Sequence, residues 1–74
     1  MGATTVSFGL ALEAMKQGKQ VRRKEWGTRT QRSISLFPGD PYSYPAFKEA
    51  REDDLYYWLP RHGDLVAEDW EVLT

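Results

Sequence analysis

Tyr57-Trp58-Leu59-Pro60-Arg61-His62-Gly63-Asp64-Leu65-Val66-Ala67-Glu68-Asp69-Trp70-Glu71-Val72-Leu73 is the stretch around which the chain reads as organised. The aromatic run that enters it predicts a strand over Asp54 to Leu59, and Pro60 stops that strand because proline cannot donate to the ladder. Asp64 can cap a single helical turn through Leu65, Val66 and Ala67. Alternation in Trp70-Glu71-Val72-Leu73 then predicts a closing strand, with Trp70 in the core. Between the two tryptophans, Arg61, His62 and Gly63 lie in a turn bounded by a proline and an aspartate. Polar groups thus gather beside large flat apolar faces, a mixture that suits a pocket better than a plain core.

Outward from this segment, the N-terminal third carries the clearest helix. In Val6 to Gly18, Ser7 can cap the free amides of a first turn and Gly18 can take the left-handed position after the last. Phe8, Ala11, Leu12 and Met15 recur at helical spacing as one apolar stripe, while Glu13, Lys16 and Gln17 lie away from it. Lys19 to Arg23 predicts a short strand with Val21 inward. Arg22, Arg23 and Lys24 form a compact positive cluster that leads into Trp26-Gly27. Such a run reads equally as a solvated face or as guanidinium groups set beside an indole to hold a flat charged ligand. Thr28 to Phe37 predicts a second strand after a hinge at Gly27, and Pro38-Gly39-Asp40-Pro41 is turn chemistry. Tyr42 to Pro45 reads as an edge segment or loop. Ala46 to Asp54 is charged and without clear period, and reads as a helical turn or an exposed loop.

The fold class that follows is α+β: an N-terminal helix packed on a small, mainly antiparallel sheet, in a single domain over residues 1–74. A chain of 74 residues buries little apolar surface, so assembly as a homo-oligomer is expected. With no cysteine there is no disulfide, thiolate ligand or cysteine nucleophile. Ten Lys and Arg against eleven Asp and Glu leave no overall field for a nucleic-acid duplex or an anionic membrane, so any anion site must be local. The opening residues lack a signal-peptide pattern and no run is long enough to span a bilayer, so a cytoplasmic protein is expected.

The candidates for chemistry are thin. His62 and Asp64 are close enough to hydrogen bond, but no motif sets a serine beside them, so no enzyme is expected. One histidine with scattered carboxylates lacks metal-ligand spacing, and nothing calls for a cofactor. Binding is better supplied. Trp26, Tyr56, Tyr57, Trp58 and Trp70 offer stacking faces, and Arg22, Arg23, Arg29, Arg32 and Arg61 offer donors that match phosphate oxygens. The competing reading of Trp58 and Trp70 is plain core, whereas Trp26, between Glu25 and Gly27, is expected to be partly exposed.

Phe8-Gly9, Ala11-Leu12-Glu13, Lys16, Gly18-Lys19, Val21, Arg23 and Trp26, followed by Trp58-Leu59, Asp64-Leu65, Ala67-Glu68-Asp69-Trp70 and Val72, resemble the second family of phage Thoeris anti-defence proteins. The Asp-Leu-x-Ala-Glu-Asp-Trp stretch is the specific part. The resemblance implies a non-enzymatic sponge, tetrameric in family members, that encloses a cyclic ADP-ribose isomer or a cyclic dinucleotide made as an immune signal. It places the family's Arg-x-Gly-Trp-Asn segment on Arg23 to Gly27, with Glu25 and Gly27 replacing the glycine and asparagine. It places Trp-Leu-Ala-Ser-Gln-Thr-Asp on Trp58 to Asp64, with Pro60-Arg61-His62-Gly63 in the middle. The expected ligand-binding residues are therefore Arg23, Trp26, Gly27, Trp58, Arg61, His62 and Asp64. The expected partners are a cyclic nucleotide second messenger and further copies of the chain, as a homodimer or homotetramer, in the cytoplasm of an infected or lysogenic bacterium. A protein-binding inhibitor that docks an aromatic and arginine patch on a host immune effector is the alternative.

Overall fold

The computed structural model describes residues 4–27, 31–52 and 54–73. Arg29 and the start of the expected second strand, Thr28 to Thr30, lie outside the described residues. The elements in chain order are β1 (Thr5–Val6), α1 (Phe8–Lys16), β2 (Val21–Arg23), a 3-10 turn (Lys24–Trp26), β3 (Ser33–Phe37), β4 (Ala46–Arg51), β5 (Asp54–Tyr57), α2 (His62–Val66) and β6 (Trp70–Val72). The architecture is α+β, as expected, and every strand pairing in the six-stranded sheet is antiparallel, in the order β1-β6-β2-β3-β4-β5.

The helix ends where its sequence signals put it. The Ser7 hydroxyl accepts from the Leu10 amide, and Gly18, at φ 88°, takes the left-handed position after the C-cap Gln17. Ala11 and Met15 are fully buried from its stripe, with Phe8 and Leu12 partly so. Val6, read as the helix entry, is instead the second residue of β1. The closing strand β6 inserts between β1 and β2, so Trp70 faces both Val6 and Arg23 across the ladder. Lys19 to Arg23 narrows to β2, with Val21 buried as expected.

Three expectations need correction. Ala46 to Arg51 is neither a helical turn nor a loop but β4, paired with β3 from Ala46 to Ala50. The aromatic strand expected over Asp54 to Leu59 ends at Tyr57, although the Trp58 amide still donates to the Phe47 carbonyl. Asp64 does not start the second helix. Arg61 is the N-cap residue of α2, and Asp64 sits in the first turn, reaching back to accept the Arg61 amide at 2.9 Å.

Register divides the sheet into two unlike faces, because directly opposed residues point the same way. Val6, Trp70, Val72, Val21, Ile34, Leu36 and Phe47 share the face that α1 covers. Beyond the reach of α1 that same face turns polar, with Arg23 opposite Trp70 and Glu49 opposite Ile34. The other face carries Phe37, Lys48, Leu55 and Tyr57, with the Lys48 ammonium 4.5 Å from the Phe37 ring centroid and 5.4 Å from that of Tyr57.

Trp70 is the centre of the core: it is fully buried, lies edge to face with Phe8, Trp26 and Trp58, and donates its indole N–H to the Asp64 carbonyl. Replacing Trp70 by Ala is expected to cost about 3–5 kcal/mol, a large fraction of the stability of so small a domain. Trp70→Phe, which keeps most of the ring contacts and loses the indole bond, is expected to cost less. Urea unfolding midpoints of the two variants check the order.

Candidate functional site

The polar end of the helix-bearing face is built around two arginine clusters, one beneath the site and one in its wall. In the first, Arg23 donates Nε to Asp69 Oδ1 at 2.6 Å and Nη1 to Asp64 Oδ1 at 3.0 Å, while Nη2 lies 3.2 Å from Glu25 Oε2. The same two carboxylates fasten the backbone around them. Asp69 Oδ2 accepts the Glu25 amide, its carbonyl accepts the Lys24 amide, and Asp64 Oδ2 accepts the Arg61 amide. The Arg23 hydrogen bond holds the Asp69 carboxyl below the usual carboxylate range, against the opposing effect of burial. Arg22, the other β2 arginine, pairs at 3.2 Å with Glu71 directly across the ladder, so the basic cluster read from the sequence is largely neutralised within the sheet.

In the second cluster, Glu49 is buried and accepts from Arg32 Nε at 2.5 Å and from Arg51 Nε at 3.1 Å, both on Oε2. Burial alone would push this carboxyl up; the two guanidinium groups outweigh it and hold the carboxyl below its usual range. The Arg32 guanidinium carbon lies 4.0 Å from the centroid of the Trp26 ring, stacked on its face.

Between the clusters opens a cavity of about 420 Å³ lined by Trp26, Arg32, Glu49, Arg51, Trp58, Leu59, Arg61 and Asp64. Trp26 is held by the 3-10 turn, which Gly27 closes at φ 70°, and packs edge to face with Trp58 and Trp70. Trp58 is 8% exposed and braced by Phe47 at 5.8 Å, so it is both core and pocket wall. Arg61 and Asp64 come from the start of α2, on the segment that Arg23 fastens.

Of the residues expected from the sequence, the structure brings Trp26, Trp58, Arg61 and Asp64 together in this wall. Arg23 lies behind the wall, with its guanidinium committed to carboxylates. Gly27 borders the site without lining it, and His62, the first residue of α2, is exposed and outside the lining. Sequence reasoning missed Glu49, Arg51 and Leu59, and named Arg32 only as one donor among several. Phe47, Glu49 and Arg51 put one apolar and two charged residues on the core side of a strand, so no apolar period marked them in the sequence. Among the described residues, no group of three or more His, Asp or Glu is placed to hold a metal ion, and no helix is long and apolar enough to cross a membrane.

Comparison with known proteins bears on this site. A family model for the Thoeris anti-defense 2-like domain matches residues 6–73. The chain is similar to Thoeris anti-defense 2 of Bacillus phage SP01, 30% identical over an alignment of 87 residues that takes in 96% of this chain and 98% of that protein.

Because the Asp69 and Glu49 carboxyls are lowered in the folded state, both contribute stability that is complete above the unfolded carboxylate pKa of about 4 and is lost as pH falls through the lower folded values. Melting temperature is therefore expected to drop on acidification below about pH 5. Asp69→Asn is expected to be less stable at neutral pH by about 1.5–3 kcal/mol and to show a flatter acid limb. Calorimetric melts of both proteins between neutral and strongly acid pH test the pair of statements.

Proposed function

The chain belongs to the Thoeris anti-defense 2-like family, whose name gives it a phage anti-defence role, and from that premise we propose that it binds and sequesters a cyclic nucleotide immune signal without cleaving it. The observation that carries this reading is the convergence of two tryptophans and three arginines on one cavity of about 420 Å³. A nucleotide needs a flat surface for the base and fixed cations for its phosphates, and a volume of this order is typical of small-molecule sites. The base stacks on the Trp26–Arg32 pair and packs beside Trp58, while Arg61 pairs with phosphate from the opposite wall. Asp64, already bound by Arg23, aligns the backbone that carries Arg61.

Assembly is part of the same proposal. The helix-free face of the sheet leaves Phe37, Leu55 and Tyr57 exposed, and a second copy seated there would add the burial that a short chain lacks. The protein then works in the host cytoplasm, as a homodimer or homotetramer, by removing the signal from its effector.

The test is capture. Purified protein is incubated with cyclic ADP-ribose isomers and cyclic dinucleotides, freed of unbound ligand and heat-denatured, and the released molecule is identified by mass spectrometry. One intact nucleotide is expected. Failure to recover any, together with co-purification of a host protein, would favour the protein-binding inhibitor. Trp26→Ala is expected to weaken capture about five- to 150-fold, the range set by ~1–3 kcal/mol for a base–aromatic stack. Because Trp26 also packs on Trp58 and Trp70, its unfolding midpoint is recorded beside the affinity.

A further inference from the structure

The Glu49 cluster has an arrangement that stability alone does not require. The β3–β4 register ends with Ser33 opposite Ala50, one step beyond Ile34 opposite Glu49, and Arg32 and Arg51 flank that last pair. Two like charges so placed repel. Glu49 resolves the conflict from below: its side chain is 4% exposed, whereas those of Arg32 and Arg51 are 26% and 57% exposed. The carboxylate is therefore the floor and the guanidinium groups rise from it toward the cavity.

How the floor holds them matters more. Both arginines are gripped through Nε, and by the same carboxylate oxygen, rather than through the two-pronged end of either guanidinium. The contact printed closest to Glu49 is Nε in each arginine, so the far edge of each guanidinium is not the part that grips the carboxylate. The Arg32 guanidinium is also laid on the Trp26 ring at 4.0 Å, and that of Arg51 lies 5.7 Å from the Tyr56 ring centroid. The planes are thus fixed before any ligand arrives, by contacts other than those of their outer edges. A planar fork held this way suits bidentate pairing with a phosphoryl group, and two adjacent forks suit two such groups. Three arginines against two carboxylates leave the lining net positive, so an anion compensates it and a neutral ligand does not.

We propose that Arg32 and Arg51, held at Nε by Glu49, form a twin-fork subsite for two neighbouring phosphoryl groups, either a diphosphate or a pair of close phosphodiesters. The inference rests on the nucleotide-capture reading for its ligand, and adds that a nucleotide with a single phosphate is bound poorly. Glu49 is a positioning residue here, since it acts on the ligand only through the two arginines.

The experiment uses inorganic pyrophosphate as the probe, inorganic phosphate as the single-anion control, and the arginine side-chain N–H resonances of the full chain as the readout. Saturable pyrophosphate binding is expected, at least tenfold tighter than phosphate, with the Arg32 and Arg51 signals shifting together. Arg51→Gln, which leaves Glu49 bonded to Arg32, is expected to weaken pyrophosphate at least tenfold and to erase the preference over phosphate. The triple variant R32Q/E49Q/R51Q, in which no buried charge is left unpaired, is expected to show no saturation while remaining folded by circular dichroism. Equal affinity for the two anions, or unchanged pyrophosphate binding in Arg51→Gln, would overturn the subsite. The nucleotide-capture assay separates the two readings. Wild-type nucleotide affinity in R51Q and the triple variant sinks the subsite and leaves sequestration standing. Pyrophosphate binding without capture of any nucleotide sinks sequestration and leaves the subsite standing.

Discussion

The pocket depends on a contact that faces away from it, the ion pairing of Arg23 with Asp64 and Asp69. Arg23 projects from β2 onto the face that also carries Val21 and Trp70, and its side chain is only 13% exposed. A charge in that position is costly unless it is paired and hydrogen bonded, and removing one partner leaves an uncompensated charge behind. Its two principal carboxylates come from the first turn of α2 and from the residue before β6, and each also binds backbone: Asp64 the start of α2, Asp69 the 3-10 turn. One guanidinium thereby sets the position of Arg61 on one side of the cavity and of Trp26 on the other. The indole bond from Trp70 to the Asp64 carbonyl ties the same segment to the centre of the core. Geometry at the ligand-facing wall is in this sense inherited from residues that need not touch the ligand.

The antiparallel sheet makes the second half of the site by simple periodicity. Side chains two apart share a face, so a strand that buries Phe47 presents Glu49 and Arg51 to the same side as the helix. The helix is too short to cover them. What would otherwise be a continuation of the core becomes a charged shelf, and burial of Glu49 is tolerable only because two arginines complete it. A three-tryptophan cluster joins shelf to core, with ring centroids 5.6 to 6.5 Å apart and every pair edge to face. The ring of Trp26 is therefore firmly held, and the Arg32 guanidinium lies over it at 4.0 Å.

Much of this was legible in the sequence where a local signal has a local cause. Ser7 and Gly18 mark α1 because capping and left-handed backbone are decided within one turn, and Val21 and Trp70 read as buried because flanking polar residues give them alternation. The strand β4 was not legible, since a buried glutamate stands where an apolar residue is expected and erases the period. Strand β1 has two residues, too few to carry any pattern. The resemblance to anti-defence proteins drew attention to Arg23 and the Asp64 to Trp70 stretch, and in the structure these form a tertiary ion-pair hub whose partners are 41 and 46 residues apart. No spacing rule distinguishes such a hub from a ligand contact. For His62, position in the turn suggested the pocket, and the start of α2 at that residue turned it outward.

The proposed capture of a nucleotide would have a kinetic consequence that follows from the charge of the chain. With a net charge of −1, the protein has little long-range attraction for an anionic nucleotide, so association is not strongly steered and the positive lining acts only at close range. Tight sequestration must then come from slow release. Slow release requires that the wall not relax around the ligand, which is what a fastened α2 segment, a braced Trp58 and arginines fixed at Nε each provide. Rigidity distributed through the core, more than any single contact with the ligand, is the property on which sequestration, as proposed, would depend.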